Sequence, residues 1–257
     1  PAKPIYLICS SAAGGTSDLI SRAIAQPLSD FLGQPVIVDN QPGANGTIAS
    51  ERVARAAPDG YTILLGGGGP NIIIPAASEK LNYDAQKDLD PVCINTLNGL
   101  GISVHPSLPV RSVKDVIALA KAQPGKLDYA SSSPSAASNL AMELFKSMAG
   151  VNIVRVPYKS TGPAMIGMAS GEVQTMFAPT GPAATQVKAN KLVALAVSSA
   201  QPSALFPGLP AIAATVPGYQ VVTSYGIVTR SNTPSAIIDR LNKEIVRALT
   251  APDAKER

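Results

Sequence analysis

The sequence predicts an α/β protein of two lobes, each a mainly parallel sheet flanked by helices, with two crossing strands as a hinge. Three observations predict it. Short apolar runs alternate with amphipathic segments along most of the 257 residues, which is the pattern of strand–helix units with parallel strands. The alternation pauses at Ile102–His105, before Pro106 and Pro109, and a new series then starts. The last strong amphipathic segment carries Ile238, Leu241, Ile245 and Leu249 on one face. Its return to the first lobe requires crossings near Ile102–His105 and Ser224–Thr229, and two short crossings make a hinge. The expected lobes are residues 1–103 with 226–257, and 104–225.

In the first series, Ile5–Cys9, Val36–Asp39, Tyr61–Leu65 and Val92–Thr96 are the strand candidates. Helices fall at Ser17–Leu32, stopped by Gly33, and at Thr47–Ala56. The second series opens with helix Val113–Ala122, strand Leu127–Ala130 and helix Ala137–Ala149. It continues with strand Ile153–Val156, helix Gly162–Ala169 and strand Val173–Phe177, then helix Ala183–Ala189 and strand Leu192–Val197. A short strand at 225–229 and helix Ser235–Leu249 complete the chain.

Hydrophobic residues make up 46% of the sequence, enough for a sizeable core, and the absence of Trp makes that core mostly aliphatic. The 23 prolines and 21 glycines punctuate periodic segments rather than forming low-complexity tracts. The net charge of +4 comes with no basic run to track phosphates, so nucleic acid is not an expected partner. No apolar run is long enough to span a bilayer. A start at Pro1 rather than Met suggests a processed product whose export signal was removed or not included. Cys9 and Cys93 sit in apolar runs and read as buried thiols, with a disulfide open in an oxidising compartment.

The candidate site is a set of small-residue turns at the carboxyl ends of strands, where open α/β sheets bind ligands. Ser11, Ala12, Ala13, Gly14, Gly15 and Thr16 follow the first strand and open a helix. Uncovered turn N–H groups and a helix's first turn together suit an anion; in a plain βα loop, Thr16 or Ser17 would instead cap the helix. Gly67 and Gly68, within a run of four glycines, let a ligand approach the backbone closely. The run Ser131, Ser132, Ser135, Ala136, Ala137 and Ser138 mirrors the first turn in the second lobe. Lys159 and Thr161 follow another strand of that lobe, and Ala178 follows strand Val173–Phe177.

His105 is the sole histidine and no Gly-x-Ser-x-Gly is present, which disfavours a Ser-His-Asp hydrolase. Cysteines and histidine are too few and scattered for a metal site, and no acid pair suits glycoside chemistry. No catalytic residue, metal or cofactor is therefore expected. An enzyme using a turn serine is the alternative from another class. A regulator's effector domain would carry a DNA-binding segment, and none is visible.

The run Lys3-Pro4-Ile5 leading to Ala12-Ala13-Gly14-Gly15-Thr16-Ser17-Asp18 resembles the start of the Bug (TctC-type) proteins. These are the extracytoplasmic solute-binding components of tripartite tricarboxylate transporters. The resemblance continues through Gly33-Gln34-Pro35-Val36, Asn40-Gln41-Pro42-Gly43-Ala44-Asn45-Gly46 and Ala57-Pro58-Asp59-Gly60-Tyr61-Thr62. It extends to Pro124-Gly125-Lys126-Leu127, Val156-Pro157-Tyr158-Lys159 and Lys191-Leu192-Val193-Ala194-Leu195-Ala196-Val197. It implies a type II-like, two-lobed periplasmic binding protein, monomeric and without a cofactor, that closes on a small carboxylate and delivers it to membrane transporter subunits. One carboxylate is then held by Ser11–Thr16, partly through backbone groups and ordered water. The other end meets Ser131–Asn139 and the loops near Lys159 and Ala178. The family often places Gly, Thr or Ser and a His in the second turn, where this chain has Ser135, Ala136, Ala137 and Asn139. Many members also carry an Asp where Ala178 stands, and its absence favours a ligand without an amino group. A C4–C6 aliphatic dicarboxylate is the expected ligand, with an aromatic dicarboxylate such as terephthalate as the nearby alternative.

Overall fold

A computed structural model describes residues 1–77, 81–132, 134, 136–201 and 203–250. The first elements are β1 (Ile5–Cys9), α1 (Thr16–Leu32), β2 (Val36–Asn40), α2 (Thr47–Ala54) and β3 (Thr62–Gly67). A π-helical turn at Gly69–Ile73 and the short α3 (Ile74–Ala77) follow. Next come β4 (Leu89–Val104), α4 (Val113–Ala122), β5 (Asp128–Ser131), α5 (Ala137–Ala149) and β6 (Val154–Pro157). The chain continues through α6 (Thr161–Ala169), β7 (Thr175–Pro179), α7 (Thr180–Lys188) and β8 (Val193–Val197), then β9 (Val222–Arg230) and α8 (Ser235–Thr250).

The chain divides into two compact units: residues 1–97 with those from 224 onward, and residues 98–223. Both divisions fall inside strands, within β4 and within β9. The boundaries expected from the sequence were 103 and 225. β4 is one strand of 16 residues, where the sequence suggested separate runs at Val92–Thr96 and Ile102–His105.

In the first unit the strand order is β2-β1-β3-β9. β1 pairs in parallel with β2 and β3, and β9 runs antiparallel to β3, with Leu65 opposite Ile227. Alternation along the strands sends successive side chains to opposite faces. Ile5, Leu7, Ile63 and Leu65 pack with Ile24 and Leu28 of α1 and with Leu241 and Ile245 of α8. Ile8 and Leu64 face the other way, against Ala49 and Val53 of α2 and Tyr83. Each such buried Leu or Ile contributes roughly 1.5–3 kcal/mol.

In the second unit β5 pairs in parallel with β6 and β7, while β4 runs antiparallel to β7 and β8. The core on one face gathers much of the chain's scarce aromatic content. Phe145, Phe177 and Tyr219 lie with ring centroids 5.9–6.2 Å apart, and the Tyr219 hydroxyl donates to the Ala141 carbonyl at 2.9 Å. Ala130, Met165, Met168 and Met176 fill the other face. Both sheets thus keep a parallel centre, and their parallel strands end where α1, α5, α6 and α7 begin.

Candidate functional site

β1 leads into the turn Ser11–Gly15. Gly14 has φ +79°, the left-handed region that favours glycine. Gly15 is glycine for a different reason. Its φ is −77°, but a Cβ there would lie 2.9 Å from Ser11 Oγ and 3.0 Å from Ser11 Cβ. Gly15, not Thr16 or Ser17, is the N-cap of α1, and no side chain caps the helix. The N–H groups of Thr16, Ser17 and Asp18 have no intrahelical acceptor. Ala12 and Ala13 are exposed on the turn, and the Ala12 carbonyl accepts from Gly15 N–H at 3.1 Å.

Asp18 braces this turn from inside the helix. It is 2% exposed and accepts from Gly14 N–H at 2.9 Å, Asn40 Nδ2 at 2.9 Å and Arg22 Nε at 3.0 Å. Asn40 Nδ2 also donates to the Ser11 carbonyl at 3.0 Å. Burial opposes the charge on Asp18, but the bonds from Arg22, Gly14 and Asn40 outweigh it and hold the carboxyl below the usual carboxylate range. One turn N–H is therefore committed to Asp18, and its charge is balanced by Arg22.

The second unit's turn follows β5. Ser131 is buried, Ser132 is half-buried, and Ser135 lies outside the described residues. Ala136 is the N-cap of α5, again without a side-chain cap; Ala137 opens the helix and Ser138 is buried. Asn139 does the bracing here. Its Nδ2 donates to the Pro134 carbonyl at 2.9 Å, and its Oδ1 lies 2.8 Å from the Tyr129 hydroxyl and 3.3 Å from Ser131 Oγ. Arg155 Nε donates to Ser131 Oγ at 3.1 Å, and the Tyr129 hydroxyl donates to Glu143 Oε1 at 2.6 Å. Burial first, then the Glu143 carboxylate, pushes the Tyr129 hydroxyl up.

The other helices that begin beside these turns share the missing cap. Neither α6, after Ser160, nor α7, after Pro179, has a side-chain cap. By contrast, α4 has the ordinary arrangement, with Ser112 accepting from Asp115 N–H. Thr161 opens α6 half-buried, and Lys159 is exposed just before it. Ala178 is fully buried among Ala130, Met176 and Val197, so its Cβ belongs to the core beneath the turn that opens α7.

Gly67 and Gly68 line a cavity of ≈ 260 Å³ in the first unit, together with residues of β4 and β9. Gly67 N–H donates to Asn71 Oδ1 at 3.3 Å. Asp18 stands in the sequence only as part of the first small-residue run, Asn139 as the end of the turn expected to meet the ligand, and no pattern in either of them, or in Arg22, Asn40 or Arg155, announces a bracing role. Among the described residues no group of three or more His, Cys, Asp and Glu could hold a metal ion. No helix among them is long and apolar enough to cross a membrane.

Two α/β units with parallel centres, linked through β4 and β9, make up the two-lobed fold of periplasmic binding proteins. The chain matches the model of the tripartite tricarboxylate transporter family receptor, TctC, over residues 20–257, and it belongs to that family. Protein BugT of Bordetella pertussis is 32% identical over 251 residues, covering 97% of this chain and 77% of BugT. A solved structure of an R. palustris protein with adipate is 33% identical, with a TM-score of 0.92, covering 99% of this chain and 85% of that one. MatC from Rhodopseudomonas palustris with bound malate is 28% identical, with a TM-score of 0.90, covering 99% and 87%. This is a TctC-family periplasmic solute-binding protein, of a family of transport receptors.

Proposed function

We propose that this protein captures a small dicarboxylate, a C4–C6 aliphatic acid, for uptake by a transporter of the tripartite tricarboxylate type, and that it does so without catalysis. The observation that carries this reading is the pair of uncapped helix N-termini, at Gly15 and at Ala136, one in each unit. Each offers backbone N–H groups and the positive end of a helix of 13 residues or more. A ligand with an anionic group at each end engages one turn with each. A monocarboxylate engages one turn only. The adipate and malate held by the two similar proteins support the same ligand class. The contacts we assign are backbone groups of Ser11–Thr16 and of Ala136–Ser138, with Ser132, Thr161 and the exposed Lys159 around the second carboxylate; the buried Ser131, bonded to Arg155 and Asn139, supports the turn from beneath. Burial of Ala178 supports an indirect part for that position, beneath the α7 turn.

Thermal-shift measurements across mono-, di- and tricarboxylates and amino acids test this, because a ligand bound only by the folded state raises apparent stability. Dicarboxylates should give the largest shift. A shift from amino acids alone would reject the reading.

A further inference from the structure

The cavity in the first unit is lined in part by glycines, Gly66, Gly67, Gly68 and Gly226. Gly66 and Gly226 face each other in the β3–β9 register. A Cβ on Gly226 would lie 2.6 Å from the Cys93 carbonyl oxygen, and one on Gly66 would lie 2.7 Å from Asn71 Oδ1. Gly226 must therefore be glycine, because β4 backbone lies against it, while a side chain at Gly66 would displace the Asn71 amide. Gly68 has no atom within 4 Å of a Cβ position, so the space above it is open. Around this floor stand Ile72, Leu89, Pro91, Ile94 and the Tyr225 ring. Ile72 is 63% exposed and Ile94 is 71% exposed, although large apolar side chains at a site's mouth lose water readily to an apolar guest. The Asn71 side chain is turned to Gly67 N–H and Ser50, so the remaining polar side chains of the lining are Cys93, Ser224 and the Tyr225 hydroxyl.

The cavity starts at the carboxyl end of β3. β1 is its neighbour, with Cys9 paired to Leu65, and the end of β1 opens the turn Ser11–Gly15. Adjacent strands are about 4.8 Å apart. The cavity and the α1 N-terminus thus follow the carboxyl ends of neighbouring strands of one unit. We propose that this cavity is the subsite for the hydrocarbon body of the ligand, and that Ile72, Ile94 and Cys93 select an unsubstituted chain over a hydroxylated one. The inference rests on the dicarboxylate reading and narrows it. A hydroxyl placed against this lining loses water without gaining a full set of partners, a cost on the order of tenfold in affinity or more.

The test uses the whole chain and two probes, adipate and 3-hydroxyadipate, by titration calorimetry on the parent and on Ile94→Asn. Ile94 is exposed, so the variant keeps the core intact. In parallel, alkylation of Cys93 by N-ethylmaleimide is timed with and without saturating adipate, at mildly alkaline pH because burial pushes this thiol up. Cys9 is fully buried and does not compete. The expected results are adipate binding at least about tenfold tighter than its hydroxylated partner, a gap that shrinks below about threefold in Ile94→Asn, and roughly tenfold slower alkylation. Measured adipate binding with equal affinities, an unchanged gap in the variant, or unchanged alkylation would each overturn the subsite and leave the dicarboxylate reading standing. Failure of every dicarboxylate to bind would overturn both.

Discussion

The two turns solve one problem by different chemistry. Each leaves its helix N-terminus without the usual Ser, Thr, Asp or Asn cap, as the proposed binding of a carboxylate there requires. In both, the third helical residue reaches back to brace the turn: Asp18 in α1 and Asn139 in α5. Asp18 uses a carboxylate, takes up Gly14 N–H and relies on the half-exposed Arg22 for charge balance. Asn139 uses a neutral amide and satisfies the Pro134 carbonyl. The first turn is thus braced by a charge-balanced carboxylate, whereas the second is braced by an amide. Among the helices with a described N-cap, α4 alone has a side-chain cap, from Ser112; α2, at Gly46, is uncapped like α1 and α5, so it is the brace from the third helical residue that sets these two turns apart.

The largest expected effect breaks the first turn. Gly15→Val should cost at least about a hundredfold in dicarboxylate affinity, measured by calorimetry, because its side chain meets Ser11 and fills the approach to the N–H groups. The φ of −77° suits valine, so circular dichroism should show a folded protein. A folded variant with parental affinity would remove this turn from the site. Next in size is Asp18→Asn. An amide cannot accept all three donors, and urea denaturation should show a loss of roughly 2 kcal/mol. An unchanged midpoint would mean the brace is idle.

Smaller, and opposite in sign for fold and function, is Ala136→Asp. The new carboxylate should cap α5, adding about 1 kcal/mol of stability, while competing with the ligand and weakening binding roughly tenfold. A gain in stability with no loss of affinity would place the ligand elsewhere. The smallest effect is on pH dependence. The folded Asp18 carboxyl titrates below its unfolded value of about 3.9, so its contribution is complete above that pH and is lost as pH falls through the depressed value. Asp18→Asn should flatten the acid limb of the stability curve, and an unaltered limb would assign that sensitivity to other carboxylates, Glu143 among them.

Local pattern made much of this legible. β1, α4 and α5 have the limits that periodicity and flanking Gly and Pro suggested, and both turns were visible as small-residue runs between strand and helix. What the sequence hid depends on distant partners. Polar and glycine residues at 95–101 look like a break, yet the backbone continues as β4 because β7, β8 and β9 flank it. The antiparallel crossing strands likewise have no local signature. Asp18 reads as an ordinary first-turn acid, and only the fold brings Asn40 to it across 22 residues. Arg155 meets Ser131 in the same way, across 24 residues. Ala178, placed by sequence at a binding edge, is buried in a cluster with Ala130 of β5, Val197 of β8 and Met176 of its own strand.

The central claim is that two separate anion-binding turns hold one ligand. Titration calorimetry of adipate against hexanoate tests it most directly, because the two have the same number of carbons and differ in one terminal carboxylate. The account predicts adipate tighter by at least about a hundredfold, equivalent to roughly 2.7 kcal/mol. Equal affinities would contradict it.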